Sequence, residues 1–248
     1  MKADIKDKFL SRWKKYFNNA ELPITFYYTD EEVAVEKVRP GSVHRCVIAA
    51  LKGVRQGKSL CFDADGIGCP GGKRYLGFSQ KIMPDFEYFL SCGITGKLQG
   101  ERYKKSPELV RSAMEYQQPI KAPGRYIVFK RWDHLSEDDT PSVVIFFARP
   151  DVLSGLFTLS NFDQAEPNGV IAPFGSGCST IVHYPFLETA ADRPRAIIGM
   201  FDVSARPFVN EAEISFSVPL SKFITMINNM DESFLITKSW KIIQKRID

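Results

Sequence analysis

A four-residue pattern, Gly-x-Gly-Cys, occurs twice and constrains the fold more than any other feature of the chain. The copies are residues 66–69 and 175–178, and each follows an apolar extended segment. In the first copy Pro70 stands where proline favours the first position of a helix. In the second copy the polar pair 179–180 leads into an apolar run. The sequence therefore predicts two strand-to-helix turns, each with a cysteine at the helix start.

A helix start changes the chemistry of a thiol. Free backbone N–H groups and the positive end of the helix dipole favour a thiolate over a thiol. They also favour a bound anion, and glycine lets that anion approach the backbone closely. We therefore predict a cofactor or ligand site at the two turns, with extra positive charge from Arg206 or Lys73. The predicted binding residues are Gly66, Gly68, Cys69, Gly71, Gly72, Gly175, Gly177, Cys178 and Arg206.

A third cysteine, Cys46, also falls near a predicted helix start. The segment 44–56 has apolar residues at helical spacing, and Ser42 is its predicted N-cap. Cys61 lies in a short predicted strand and is expected in the core. Cys92 falls at the C-terminal end of a predicted helix, where the dipole disfavours a thiolate. The predicted metal ligands are Cys46, Cys69 and Cys178.

The cysteine count argues against a disulfide framework and against local metal motifs. The chain has 248 residues and 5 cysteines, an odd number, and no two of them form a CxxC pair. A zinc ribbon and a ferredoxin-type run are therefore excluded. A site assembled from distant cysteines is compatible with this spacing.

Composition and charge predict a cytoplasmic globular protein. Hydrophobic residues make up 44% and charged residues 25% of the chain, which is ordinary for a folded domain. The formal charge of +4 is spread over several segments, so nucleic-acid binding is disfavoured. Residues 1–8 lack a following apolar segment, and no apolar run approaches the roughly 18 residues of a spanning helix. We expect neither a signal peptide nor membrane contact.

The order of strand and helix signals predicts a mixed α/β (α+β) fold. The strand 143–147 has no polar residue, which suits a central position, whereas 214–218 alternates like a half-exposed strand. Ser106 and Pro107 mark a helix start. We expect a single domain, 1–248, with two similar halves that each contain a strand, a Gly-x-Gly-Cys turn and a helix. The predicted pseudo-duplicated halves are about 20–132 and 142–235. The other predicted helices are 4–18, 73–78, 84–90, 150–162, 179–184 and 219–230, and the other strands are 22–28, 59–62, 125–130 and 195–201.

The order of these motifs resembles a known family. Cys46 in an alanine-containing helix, Gly68-Cys69-Pro70-Gly71-Gly72, the second Gly-x-Gly-Cys and the segment 214–219 are similar to the family called domain of unknown function 169. The likeness covers roughly residues 20–235. It implies a cytoplasmic prokaryotic-type protein and supplies no reaction, substrate or cofactor. The segment 201–206 departs from the family, whose members tend to have a more glycine-rich turn there.

Three functional hypotheses fit these residues, and we favour the first. It is a cysteine-lined site for an iron–sulfur cluster with one open or non-cysteine position, or for zinc with His44 or His183 as fourth ligand. The second is a binding protein whose glycine turns receive the phosphate or carboxylate of a small molecule, without catalysis. The third is a thiol enzyme using Cys69 or Cys178, although His183 would face another side of the predicted helix.

Overall fold

The computed structural model describes residues 3–39 and 46–247, in which helices cover both faces of one sheet. A π-helical turn, Ser179–His183, leads directly into the seventh α-helix. Within these two ranges no helix is both long and apolar enough to cross a membrane. The α-helices are α1 (Ala3–Phe17), α2 (Val47–Arg55), α3 (Pro70–Tyr75), α4 (Phe86–Phe89), α5 (Pro107–Glu115), α6 (Pro150–Ser160), α7 (Tyr184–Glu188), α8 (Leu220–Asn229) and α9 (Lys238–Gln244), and short 3₁₀ helices cover Trp132–His134, Arg206–Phe208 and Phe234–Ile236.

The strands of the described chain form one 8-stranded sheet that combines parallel and antiparallel pairs. They are β1 (Ile24–Thr29), β2 (Glu36–Lys37), β3 (Leu60–Phe62), β4 (Tyr126–Arg131), β5 (Val143–Ala148), β6 (Val170–Ile171), β7 (Ala196–Gly199) and β8 (Ile214–Pro219). Their order across the sheet is β2-β3-β4-β1-β5-β8-β7-β6. This confirms the predicted mixed α/β class.

The same pairing pattern occurs in the strand sets β1–β4 and β5–β8. In each set the first strand pairs antiparallel with the fourth, the fourth antiparallel with the third, and the third parallel with the second. The sets join where residues 24–26 of β1 pair with residues 143–145 of β5. The two Gly-x-Gly-Cys copies are not equivalent in this pattern, because the first follows β3 and the second follows β6. The topology repeats, and a duplication of the sequence stays a prediction.

The central strand β5 separates two hydrophobic cores. All of its residues are buried, as the apolar run 143–147 predicts. Its even-numbered residues belong to a core with α1, α6, α8 and α9. Its odd-numbered residues belong to a core with α2, Tyr75 of α3 and the π-helical turn. Since strand side chains alternate between the faces, all three predicted metal-ligand cysteines lie on or beside the second face.

Small residues of β7 and β8 let the π-helical turn pack closely on the second face. A Cβ at Gly199 would overlap the side chain of Thr180. Ser215 and Ser217 are fully buried beneath this layer. The prediction that 214–218 is half-exposed is therefore wrong, because helices cover both faces of β8 and strands flank both of its edges.

Most other local predictions hold, with two exceptions. The hydroxyl of Ser106 accepts a hydrogen bond from the Leu109 N–H at 3.3 Å and caps α5, as predicted. The helix predicted to stop before Pro185 instead continues to Glu188, because Pro185 lies in the first turn of α7, where its missing N–H costs little. The two-residue edge strands β2 and β6 are not predicted, since such short strands carry no periodic signal.

Candidate functional site

The three predicted metal-ligand cysteines each precede a helical segment. Cys46 is the N-cap residue of α2. The predicted helix 44–56 would have put it within the first turn, but the observed helix begins one residue after it. Cys69 is the N-cap residue of α3, and its sulfur accepts a hydrogen bond from the Gly72 N–H at 3.4 Å. Cys178 directly precedes the π-helical turn. The predicted N-cap Ser42 lies outside the described residues.

Close backbone packing brings the three helix starts together. A Cβ at Gly72 would lie 3.0 Å from Cγ2 of Val47, the residue after Cys46. A Cβ at Gly177, next to Cys178, would lie 3.3 Å from Cγ1 of Ile48. Both glycines therefore permit approaches that a side chain would obstruct, and they connect the start of α2 with the two Gly-x-Gly-Cys turns.

Burial raises the pKa of two of these thiols, so the expectation of thiolates is wrong for them. The pKa of Cys178 lies well above its ordinary value because the thiol is buried, and negative charge on Cys46, Cys69 or Asp202 would raise it further. Burial also raises the pKa of Cys46, and this outweighs the opposite effect of the nearby backbone N–H groups of α2. Removing the thiolate from water raises the thiol pKa by more than the N–H groups of the helix start lower it.

Packing also connects Asp202 with these helix starts. Its Oδ2 accepts the Gly177 N–H at 3.0 Å, and a Cβ at Gly177 would lie 2.9 Å from the Cβ of Ala205 in the same turn. A thiolate at Cys69 would raise the pKa of Cys46, and a thiolate at either position would raise the pKa of Cys178. We call Cys46, Cys69, Cys178 and Asp202 the cysteine site.

Oxygen atoms of the chain itself occupy several N–H groups of the two glycine turns. The Gly66 N–H donates to Oδ1 of Asp63 at 2.8 Å. The Gly177 N–H donates to Oδ2 of Asp202 at 3.0 Å, and the Ser179 N–H donates to Oγ of Ser176 at 3.2 Å. These groups already bind a carboxylate or hydroxyl, so they are not presented to an external anion.

Of the remaining predicted glycines, Gly68 and Gly71 are exposed and Gly175 is half-buried. Gly68 and Gly71 flank Cys69, and a Cβ at Gly71 would meet the Cys69 sulfur at an ordinary 3.9 Å. Gly175 packs against Ser179, whose side chain a Cβ there would overlap. Their predicted contact with a ligand stays a prediction.

Arg206 binds the loop that follows it. Its guanidinium donates to the backbone oxygen of Glu213 at 2.5 Å, of Asn210 at 3.2 Å and of Glu211 at 2.9 Å. These contacts order the connection between β7 and β8. The predicted contact of Arg206 with an anionic ligand stays a prediction, and the described structure gives the guanidinium another role.

The histidines are not grouped with the cysteines in the described part of the chain. His44 lies outside the described residues. His183 is buried, its Nε2 lies 2.6 Å from the backbone oxygen of Gln118, and its Nδ1 has no hydrogen-bond partner among the described residues. Burial lowers the pKa of His183, and the nearby charge of Arg74 lowers it further. A neutral ring that donates from Nε2 fits this environment.

The two cysteines left out of the predicted site lie elsewhere. Cys61 is buried in β3, as expected of a core residue. Cys92 is exposed beside an open cavity of about 600 Å³ formed by the loop 92–102. Both therefore serve as controls for the chemistry of the cysteine site.

Asp202 is the residue of this site that sequence reasoning missed. Besides the Gly177 N–H, its carboxylate accepts hydrogen bonds from the N–H and the hydroxyl of Ser204, at 3.0 and 2.8 Å. It also lines a cavity of about 160 Å³, together with Phe174 and Phe201. Its sequence signal, an aspartate shortly after a strand, is also typical of an ordinary turn.

The comparison with protein families supplies the identification. Residues 14–229 match the family model of DUF169, described as uncharacterised ArCR. The chain belongs to the DUF169 family. No curated protein and no solved structure matches the chain at a significant level. The resemblance seen in the order of the cysteine motifs is thereby confirmed, and the DUF169 description names no activity.

The described part of this DUF169 chain holds no preformed site for a single metal ion. In residues 3–39 and 46–247, no group of three or more His, Cys, Asp or Glu side chains is arranged so that it could hold one. The predicted metal centre therefore stays a prediction. The described cysteines are all free thiols, which leaves the three thiols of the cysteine site available as ligands.

Proposed function

We propose that this DUF169 protein binds an iron–sulfur cluster through Cys46, Cys69 and Cys178. The observation that carries the proposal is the close packing of Gly72 and Gly177 on Val47 and Ile48, which brings together three helix starts that each carry a free thiol. Cysteine thiolates are the usual protein ligands of such clusters. Positive iron would offset the repulsion among these thiolates and the cost of burying them.

The packing around the thiols suits a cofactor that binds after folding. The glycine contacts hold the three backbones close together, while each cysteine side chain turns about a single χ1 bond. Since each thiolate of a four-iron cluster binds a different iron, the cysteine sulfur atoms stand further apart than around a single ion. When bound, such a cluster transfers electrons or, through an open iron, polarises a substrate.

Specific observations favour this function over the alternatives. A single zinc ion needs its ligands around one point, and the described residues form no such group of three or more side chains. An anion site at the second turn would compete with Asp202 for the Gly177 N–H. A nucleophilic thiol requires a lowered pKa, whereas burial raises the pKa of Cys178. Free thiols also fit a reducing compartment, so we place the protein in the cytoplasm.

The test is anaerobic reconstitution with iron and sulfide, followed by visible absorption spectra and elemental analysis. The variants Cys46→Ala, Cys69→Ala and Cys178→Ala should each lose most of the absorbance and iron of the wild type. Cys61→Ala is the buried control and Cys92→Ala the exposed control, and both should keep the wild-type amounts. Circular dichroism checks that every variant is folded.

Two results would refute the proposal. One is a folded wild-type protein that stays colourless and free of iron after reconstitution. The other is iron binding that is equally strong in the three site variants and the two controls. Stoichiometric zinc in place of iron, lost only in the site variants, would replace the cluster with a single-ion centre.

A further inference from the structure

The cavity of about 160 Å³ beside the second Gly-x-Gly-Cys turn is lined by two segments of the chain. The first is 172–175, which leads into that turn, and the second is the pair Phe201 and Asp202 after β7. Thr180 of the π-helical turn completes the lining among the described residues. Sites for drug-sized molecules usually exceed about 300 Å³. This cavity therefore suits a small head group rather than a complete cofactor.

Two aromatic side chains at the cavity are exposed and belong to neither core. Phe174 is 65% and Phe201 is 55% exposed, although burial stabilises large apolar side chains. Met200, directly before Phe201, is fully buried and has a left-handed φ of 65°, which is costly for a residue other than glycine. Such strained backbone is concentrated at ligand sites. Exposed rings beside it indicate a binding surface.

The charge at the cavity favours a cation as its ligand. Of the lining residues in the described chain, Asp202 alone is charged. Its carboxylate accepts hydrogen bonds from Gly177, from Ser204 and, at 3.4 Å, from the hydroxyl of Tyr103. All of these donors are uncharged, so Asp202 keeps its negative charge. A cation in the cavity would be attracted by that charge even if it donated no hydrogen bond.

The chain itself places an ammonium group on one of the two rings. Nζ of Lys104 lies over the ring of Phe174, 4.4 Å from its centroid. The negative face of an aromatic ring attracts cations, and a ligand ammonium is attracted in the same way. Lys104 does not line the cavity, and its backbone N–H donates to the oxygen of Leu90 at 3.0 Å. Phe174 therefore already acts as a cation-binding ring, and Lys104 would repel a second cation that approaches it.

We propose that this cavity binds a quaternary ammonium group. Its methyl groups would contact the rings of Phe174 and Phe201, with the positive charge near the carboxylate of Asp202. A quaternary ammonium has no N–H, so it tolerates a carboxylate whose oxygens already have donors, whereas a primary amine would need a free acceptor. The proposal is independent of the iron–sulfur cluster, because none of the lining residues is a proposed cluster ligand.

The experiment titrates the purified full-length protein with choline by isothermal titration calorimetry. The comparison ligand is the neutral isostere of choline, an alcohol in which a tert-butyl group replaces the trimethylammonium group. The two have nearly the same shape and differ in charge. Choline should bind, and the isostere should bind at least about fivefold more weakly, because it gains neither the cation–π attraction nor the attraction of Asp202.

The first variants test the rings. Phe174→Leu and Phe201→Leu keep an apolar side chain and remove the aromatic face. Each should weaken choline binding about two- to fivefold, the range of a cation–π contact at an exposed site. Phe162→Leu is the matched control, because Phe162 is also exposed but does not line the cavity. This control should bind choline as the wild type does.

The second variants test the charges. Asp202→Asn keeps an oxygen for the Gly177 N–H but loses the negative charge, so choline binding should weaken about fivefold or more. Ser204→Ala removes a hydroxyl that donates to Asp202 and controls for disturbance of the turn, so it should bind choline as the wild type does. Lys104→Met removes the repelling charge and keeps an apolar chain on the Phe174 ring, so it should bind choline more tightly. Circular dichroism checks that every variant is folded.

Several results would overturn the proposal. A folded wild-type protein that does not bind choline is one, and equal binding of choline and its neutral isostere is another. Weaker binding in Lys104→Met would also overturn it, because Lys104 would then attract the ligand rather than repel it. Equal losses in Asp202→Asn and Ser204→Ala would attribute the effect to the turn and not to the charge. Cys46→Ala should bind choline as the wild type does, so the cluster and this site can fail separately.

Discussion

The contact between Gly177 and Ala205 offers a direct test of how the cysteine site is held together. In the variant Gly177→Ala, the new Cβ would lie 2.9 Å from the Cβ of Ala205, 3.0 Å from Sδ of Met200 and 3.3 Å from Cγ1 of Ile48. The methionine side chain can rotate away, but the Cβ of Ala205 moves only with its backbone. Overpacking of this kind typically costs about 1–3 kcal/mol. We expect Gly177→Ala to lower the free energy of unfolding by that amount.

A second substitution distinguishes this contact from a general effect of alanine. Ala205→Gly removes the obstructing Cβ and by itself should cost about 1–2 kcal/mol, from a lost buried methyl group and a more flexible unfolded chain. In the double variant the steric conflict disappears. The combined loss should therefore fall short of the sum of the single losses, by a coupling energy of about 1–2 kcal/mol.

Urea unfolding followed by circular dichroism measures all three variants. Gly71→Ala is the matched control, because the nearest atom to its Cβ is 3.9 Å away and alanine is favoured in a helix. This control should be as stable as the wild type or slightly more stable. The reasoning fails if Gly177→Ala lies within about 0.5 kcal/mol of the wild type, or if the double variant loses the full sum.

Two further predictions concern buried polar groups away from the site. Burial alone would raise the pKa of Asp139, but hydrogen bonds from Lys130 and Tyr27 outweigh it and hold this pKa below its ordinary value. The resulting stability is fully present above about pH 4 and is lost as the pH falls through the lowered pKa. Asp139→Asn should therefore lower the free energy of unfolding by about 3–5 kcal/mol at pH 7, measured by urea unfolding, and should weaken the loss of stability at acid pH. A variant that loses stability at acid pH as steeply as the wild type would contradict this. Ser217→Ala should leave the free energy of unfolding unchanged or raise it, because the buried Ser217 hydroxyl has no hydrogen-bond partner among the described residues. A loss of more than about 1 kcal/mol in urea unfolding would refute this expectation.

Much of the fold can be predicted from the sequence, because local signals and tertiary packing agree in most segments. The apolar run of β5 indicates burial on both faces, and the Ser106-Pro107 pair marks the start of α5. The prediction fails for β8, whose alternating serines resemble a solvent-exposed face. They are small because the π-helical turn packs on them, and one strand's sequence does not contain that information.

The site can be predicted only in part, for a related reason. Its three cysteines are recognisable because glycine turns and helix starts leave local patterns. The raised pKa of Cys178 depends on burial by distant segments, and the position of Asp202 depends on how β7 returns to the second turn. Neither is encoded within a short window of the chain.

The short seam between β1 and β5 governs when the cysteine site can exist. Cys46 and Cys69 belong to the part of the chain with the first strand set, and Cys178 and Asp202 to the part with the second. Among the described strands, only residues 24–26 and 143–145 pair across the boundary between the sets. These partners are far apart in the chain, and such pairing is a late event in folding because the long loop must close first. A growing polypeptide cannot assemble the site before residue 202 has been synthesised and the seam has formed. A cofactor would therefore bind after translation, and only to molecules whose tertiary structure is complete.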